Sequence, residues 1–129
     1  MRHILLLVAG ALVGALVAFS AANTLRQRHA WPRGVMAVMQ HHYAALRDAR
    51  RQNRCDAAGT GGHWRMIALV ASDIVPSNAP SPPDFAQQAQ AFAVAAGKLA
   101  AQPPNDCPAF DAALPQIQEA CDGCHREYR

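Results

Sequence analysis

The sequence predicts an all-α fold, an antiparallel up-down-up-down four-helix bundle, and three observations lead there. Apolar residues recur at spacings of three and four in four separate segments, the period of an amphipathic helix. No stretch alternates like a half-buried strand, and no β-branched run lies between turn signals. Alanine, the strongest helix former, is abundant. At 129 residues the chain holds one domain at most.

The first segment to justify is not part of that bundle. "MRHILLLVAGALVGALVAFSAA" has one early arginine, Arg2, and then an apolar run from Ile4 to Ala22. Ser20 and Ala22 are small residues placed as they are before an export cleavage site. The run is long for a signal sequence and only just long enough to span a bilayer. Residues 1–22 are therefore expected to be a signal peptide or an N-terminal membrane anchor, with residues 4–22 as the tether. Residues 23–30 are expected to be a linker, and residues 31–129 the bundle domain. Arg26, Arg28 and Arg33 follow the run, and the positive-inside rule favours the opposite orientation. Export is preferred because the C-terminal motif requires it.

The bundle begins at Trp31. Met36, Met39, Tyr43, Leu46 and Arg50 step by three and four, and Pro32 suits a first helical turn. "RRQNRCDAAGTGG" reads as a glycine-rich loop that breaks this helix. A second helix places His63, Ile67, Val70 and Ile74 on one face, and "PSNAPSPP" ends it. Asp84 is the expected N-cap of a third helix that buries Phe85, Ala89, Phe92, Ala96 and Leu99. "AQPPNDCP" is the next break. The last helix carries Phe110, Leu114, Ile117, Cys121, Cys124 and Tyr128, with Pro115 predicting a kink or a late start.

The formal charge is +3. Without residues 1–22, which contain Arg2 as their one charged residue, 11 basic and 9 acidic residues leave +2. A charge so weak and dispersed gives no argument for nucleic acid, and no such partner is expected.

The chemistry lies in "CDGCHREYR", residues 121–129. A structural zinc needs four ligands, usually two pairs. Cys121, Cys124 and His125 are three adjacent candidates with no second pair of matching spacing. A thioredoxin-like dithiol needs a strand-to-helix setting, which an all-α chain lacks. Haem attachment fits best. Cysteines at i and i+3 share one helical face and can reach the two vinyl groups of one haem, and the histidine at i+4 can ligate its iron. Covalent attachment takes place outside the bacterial cytoplasmic membrane, so motif and leader support each other.

A CxxCH followed by "REYR" at the end of a four-helix chain resembles the class II c-type cytochromes, the cytochrome c′ family. The resemblance covers about residues 31–129, and "CDGCHREYR" is its specific part. It implies one haem c, thioether-bound through Cys121 and Cys124, with His125 as proximal iron ligand. Tyr128 and Arg129 would pack near the haem edge, Arg129 near a propionate. Relatives often dimerise through their first two helices, so the resemblance also implies a homodimer as one state open to the chain.

The resemblance places the residue facing the other side of the iron early in helix one. Cytochromes c′ usually have an apolar side chain there, which leaves the iron five-coordinate and open to gases. Low-spin relatives have a methionine and transfer electrons. The family often has a histidine six residues later, and His42 stands six after Met36 in "VMAVMQHHY". Met36 is thereby the expected sixth ligand, with Met39 one turn on as its rival and methionine as core filler the plainer reading. His41 and His42 lie deeper. His63 reads as structural or surface. Arg33 is one residue from where relatives place a propionate-binding arginine, a position held here by Pro32. Phe85 stands where many relatives have tryptophan.

Cys55 and Cys107 are not supplied by the resemblance. They fall in the first and third loops, which meet in an up-down-up-down bundle, and export permits disulfides. A Cys55–Cys107 bridge away from the haem is expected. The leading function is a periplasmic electron carrier, soluble or anchored to the outer face of the cytoplasmic membrane, serving redox partner proteins. The alternatives are a five-coordinate binder of nitric oxide or carbon monoxide, and a haemless structural or zinc-binding bundle. No nucleophile, paired carboxylates or phosphate loop argues for an enzyme.

Overall fold

The computed structural model describes residues 2–128, with the side chains of Leu5 and Arg28 left aside. It has six helices and, among the described residues, no strand: α1 (Arg2–Arg28), α2 (Ala30–Arg51), α3 (Ala57–Ala71), α4 (Ile74–Ser77), α5 (Pro83–Ala101) and α6 (Cys107–Glu127). The chain divides into two units, residues 1–33 and 34–129.

In the first unit, α1 is long and apolar enough over Arg2–Gln27 to cross a membrane. Leu7, Leu12, Leu16 and Phe19 are exposed on it. Residues 23–28, expected as a linker, continue this helix. Arg33 uses its side chain here: Nε donates to the His29 carbonyl at 3.0 Å and Nη2 to the Arg26 carbonyl at 3.1 Å. The Arg26 carbonyl lies in the last turn of α1, where a helix leaves acceptors unpaired, and the His29 carbonyl, just before α2, also accepts from the Arg33 amide at 3.3 Å.

The second unit holds the bundle of α2, α3, α5 and α6. Its core is built from Leu46 on α2, Trp64 and Ile67 on α3, Phe92 on α5, and Phe110 and Ile117 on α6, with smaller residues between them. Side-chain pairs fix the helix directions. Tyr43 meets Gln118 and Arg50 meets Asp111, so α2 and α6 run antiparallel. Gln88 meets Glu127, so the start of α5 lies by the end of α6. α3 packs on α5, α5 on α6, and the short α4 on α5. The all-α bundle expected from periodicity is the fold.

Helix ends explain where the chain turns. α2 closes on Asn53, whose φ of 54° is left-handed. The Asn53 amide reaches the Arg50 carbonyl at 3.0 Å, and that of Arg54 reaches Ala49 at 2.9 Å. This is a Schellman closure, and asparagine tolerates it better than most residues. Asp56 then starts α3 by accepting from the Gly59 amide at 2.7 Å. Asp106 starts α6 the same way, accepting from Ala109 at 2.8 Å. Asn105 Oδ1 accepts from the Ala57 amide at 3.1 Å, joining the two loops. Beside it Cys55 and Cys107 are disulfide-bonded, 52 positions apart in sequence.

Four local expectations need correction. Gly59, Gly61 and Gly62 are not a loop but the first turns of α3. The Asp56 cap nucleates the helix there, and Gly61 is buried where a Cβ would stand 3.5 Å from the Pro103 ring. The buried face of α3 is Thr60, Trp64, Ile67 and Ala71, with His63 and Val70 half-buried beside it. Trp64 buries the most apolar area and so sets the rotation of the helix. Ile74 belongs to α4, because α3 ends at Ala71. Asp84 lies inside the first turn of α5, behind Pro82 at the N-cap and Pro83 as first residue.

Pro115 neither stops nor delays α6, which starts at Cys107 and runs through it. A proline inside a helix costs about 3 kcal/mol. Phe110 and Ile117, buried on either side of it, each contribute about 1.5–3 kcal/mol by leaving water.

Candidate haem site

α6 presents "CDGCH" on its last turns. Cys121 and Cys124 are free thiols, half-buried and packed against the core. His125 is exposed toward solvent on one side and lines a cavity on the other. The cavity holds about 310 Å³ and lies between α2 and α6. Met36, Met39, Ile67, Phe92 and Ile117 give it apolar walls, so all four bundle helices contribute. Cys121 and His125 enter from α6, and Tyr43, Arg47, Gln118 and Asp122 supply polar groups.

The periodicities explain this convergence. On α2, Met36, Met39, Tyr43 and Arg47 step by three and four along one face. On α6, Ile117, Cys121 and His125 step by four along one face. The Tyr43 hydroxyl donates to Gln118 Oε1 at 2.9 Å and joins the two faces. Burial, followed by the nearby Cys121 and Asp122, raises the Tyr43 pKa against the opposing pull of Arg47, so the phenol keeps the proton it donates.

The thiols discriminate between the chemistries open to CxxC. Burial above all, then Asp122 and Cys124, pushes the Cys121 thiol up to about 11. Burial and then Glu127 push Cys124 upward as well. A redox-active dithiol needs a depressed thiol at a positive site, and this one has the opposite surroundings. Among the described residues no three His, Cys, Asp or Glu side chains gather to hold a metal ion, so zinc lacks its four ligands. The donor set does fit a haem. One largely apolar cavity receives a thiol and an imidazole from one helical face, and an apolar pocket with a few polar groups is what a cofactor takes.

The other expected site residues are placed as follows. Met36 is half-buried and Met39 buried, and both line the cavity. Tyr128 ends α6 with its ring edge-on to Phe85 at 5.2 Å, outside the cavity lining. Arg129 lies outside the described residues. Arg33 gives its guanidinium to carbonyls of its own unit. The arginine that does line the cavity is Arg47, which was not singled out from sequence although it continues the Met36–Tyr43 stripe.

Residues 77–129 match the family described as cytochrome C′. No curated protein and no solved structure matches the chain. The match includes α5, α6 and the CxxCH motif, and it leaves α2 with Met36 outside. It implies covalently bound haem c. Over residues 77–129, which carry Cys121, Cys124 and His125, the chain is similar to the class II c-type cytochromes, the cytochrome c′ family.

Proposed function

We propose that the protein is an electron carrier holding one haem c. Cys121 and Cys124 carry the thioethers, His125 is the proximal ligand and Met36 the distal one. The observation that supports this reading is the shared cavity, with Met36 on one wall and Cys121 and His125 on the other. Bound haem supplies a one-electron couple, and a thioether opposite an imidazole favours the reduced state. The chain's own part is to hold its ligands and exclude water. Ile67, Phe92 and Ile117 form the apolar walls, and the Tyr43–Gln118 bond braces α2 against α6. Arg47 is the cation of the lining, suited to a propionate.

In this reading α1 exports the protein or tethers it to the outer face of the cytoplasmic membrane, and redox proteins of the periplasm are its partners. The length and apolar character of α1 support both versions. A homodimer is compatible with either.

A second reading keeps the iron five-coordinate for nitric oxide or carbon monoxide. Packing of Met36 against the hydrophobic core favours it, since a packed thioether need not ligate. The optical spectrum of the ferrous protein, with and without carbon monoxide, separates the two. A low-spin spectrum that the gas leaves unchanged, and that Met36→Ala opens, is the expected result. A high-spin spectrum that shifts on adding gas would replace electron transfer by gas binding.

A further inference from the structure

Away from the haem cavity, α2 and α3 bring together metal-binding side chains that the proposed function does not use. His42 on α2 and His63 on α3 meet Nδ1 to Nδ1 at 2.8 Å. Their ring centroids are 5.1 Å apart and the planes are tilted by 50°. Both rings are half-buried, and among the described residues each is the other's one hydrogen-bond partner. His41 stands edge-on to His42, with centroids 5.1 Å apart.

Two imidazole nitrogens held this close can serve one metal ion in place of the proton they share. A hydrogen bond at this place uses one pair of electrons and one proton, and requires the two rings to hold opposite tautomers. The separation also selects a geometry. With metal–nitrogen bonds of about 2.0 Å, a tetrahedral ion sets two nitrogens about 3.3 Å apart. A square-planar ion sets two neighbouring nitrogens about 2.8 Å apart, the spacing that suits divalent copper. Imidazole is a ligand copper favours, and copper heads the affinity order of the divalent ions.

There is also a path for entry. A polar cavity of about 480 Å³ borders His63, with Asp48, Gln52 and Asp56 among its lining. Asp48 and Asp56 put carboxylate oxygens on this lining, beside the Arg54 cation, and each carboxylate has a local partner, Arg51 and the Gly59 amide. Two side chains are too few to close a structural site, so water would fill the remaining positions.

We propose that His42 and His63 form a two-histidine site for a square-planar divalent copper ion, completed by water, that clamps α2 to α3. The test is calorimetric titration of Cu²⁺ into the haem-loaded full chain, in a His3→Ala background that removes the histidine nearest the amino terminus. One saturable equivalent is expected. His42→Ala or His63→Ala should weaken it by at least about tenfold, since even groups supporting a ligand are worth that much. His41→Ala should leave it unchanged. Saturating copper should raise the thermal midpoint of the parent and not of either variant. Electron paramagnetic resonance should show splitting from two nitrogens. If His63→Ala fails to fold, His63→Gln with unchanged circular dichroism carries the same test. Absence of saturable binding, or binding that survives both substitutions, overturns the site.

Discussion

Replacing Cys55 and Cys107 together by alanine removes the covalent link between the loop before α3 and the first residue of α6. The two residues are 52 positions apart. A cross-link of that span takes about 14 cal/mol/K from the unfolded chain in the loop-entropy account, or about 4 kcal/mol at 25 °C. Other ties at this end stay: the Asn105–Ala57 bond and the two aspartate caps at Asp56 and Asp106. They hold the folded state together, so the loss should appear chiefly through the freed unfolded chain. Against a usual total of about 5–15 kcal/mol, the variant should remain folded but close to its limit. At about 4–8 °C per kcal/mol for a domain of this size, the midpoint should fall by about 15–30 °C. The assay is urea unfolding of the haem-loaded protein followed by far-ultraviolet circular dichroism, beside alkylation of the non-reduced parent. A loss below about 1 kcal/mol, or ready alkylation of Cys55 and Cys107 in the native parent, would refute the reasoning.

Leu46 has no exposed surface, and Leu46→Ala should destabilise by about 2–5 kcal/mol in the same unfolding assay. A change under about 1 kcal/mol would mean that the core relaxes into the space. Asp56→Ala removes the cap from the Gly59 amide and should cost about 1 kcal/mol, with Asp56→Asn nearly neutral. Equal losses in both variants would show that charge, not capping, matters there. The hydrogen bonds from Arg50, with its charge behind them, outweigh burial and hold the Asp111 carboxyl below its ordinary 3.8. A depressed carboxyl contributes stability that is present above its unfolded value and lost as pH falls through the folded one. Asp111→Asn should therefore flatten the stability profile below about pH 4, and an unchanged acid limb in that variant would count against the pair.

Much of the bundle was legible because the signals were local. The stripe from Phe85 to Ala96 shows its period without help from the rest of the chain. The cysteine pair and His125 carried their chemistry in their spacing. Where two local signals competed, reading failed. Three glycines close together suggested a loop, yet Asp56 caps them into a helix, with Gly61 buried beside Pro103. His63 was counted on the buried face, whereas Trp64 turned the helix toward Phe110, ring edge to ring face at 5.5 Å. Pro115 suggested a kink or a late start, whereas α6 starts at Cys107 and runs through it, with Phe110 and Ile117 buried on either side.

By itself, the sequence determined the all-α class, the order of the bundle helices and the donor groups at residues 121–125, since these depend on periodicity and spacing within one segment. Tertiary structure alone decided which side chains from different helices share a space. It set Arg47 on the lining that holds His125, kept Arg33 with carbonyls of its own unit, and faced His42 with His63. Such meetings depend on the rotation of each helix about its axis. That rotation is set by the sum of apolar area buried against neighbours, a quantity no single segment contains.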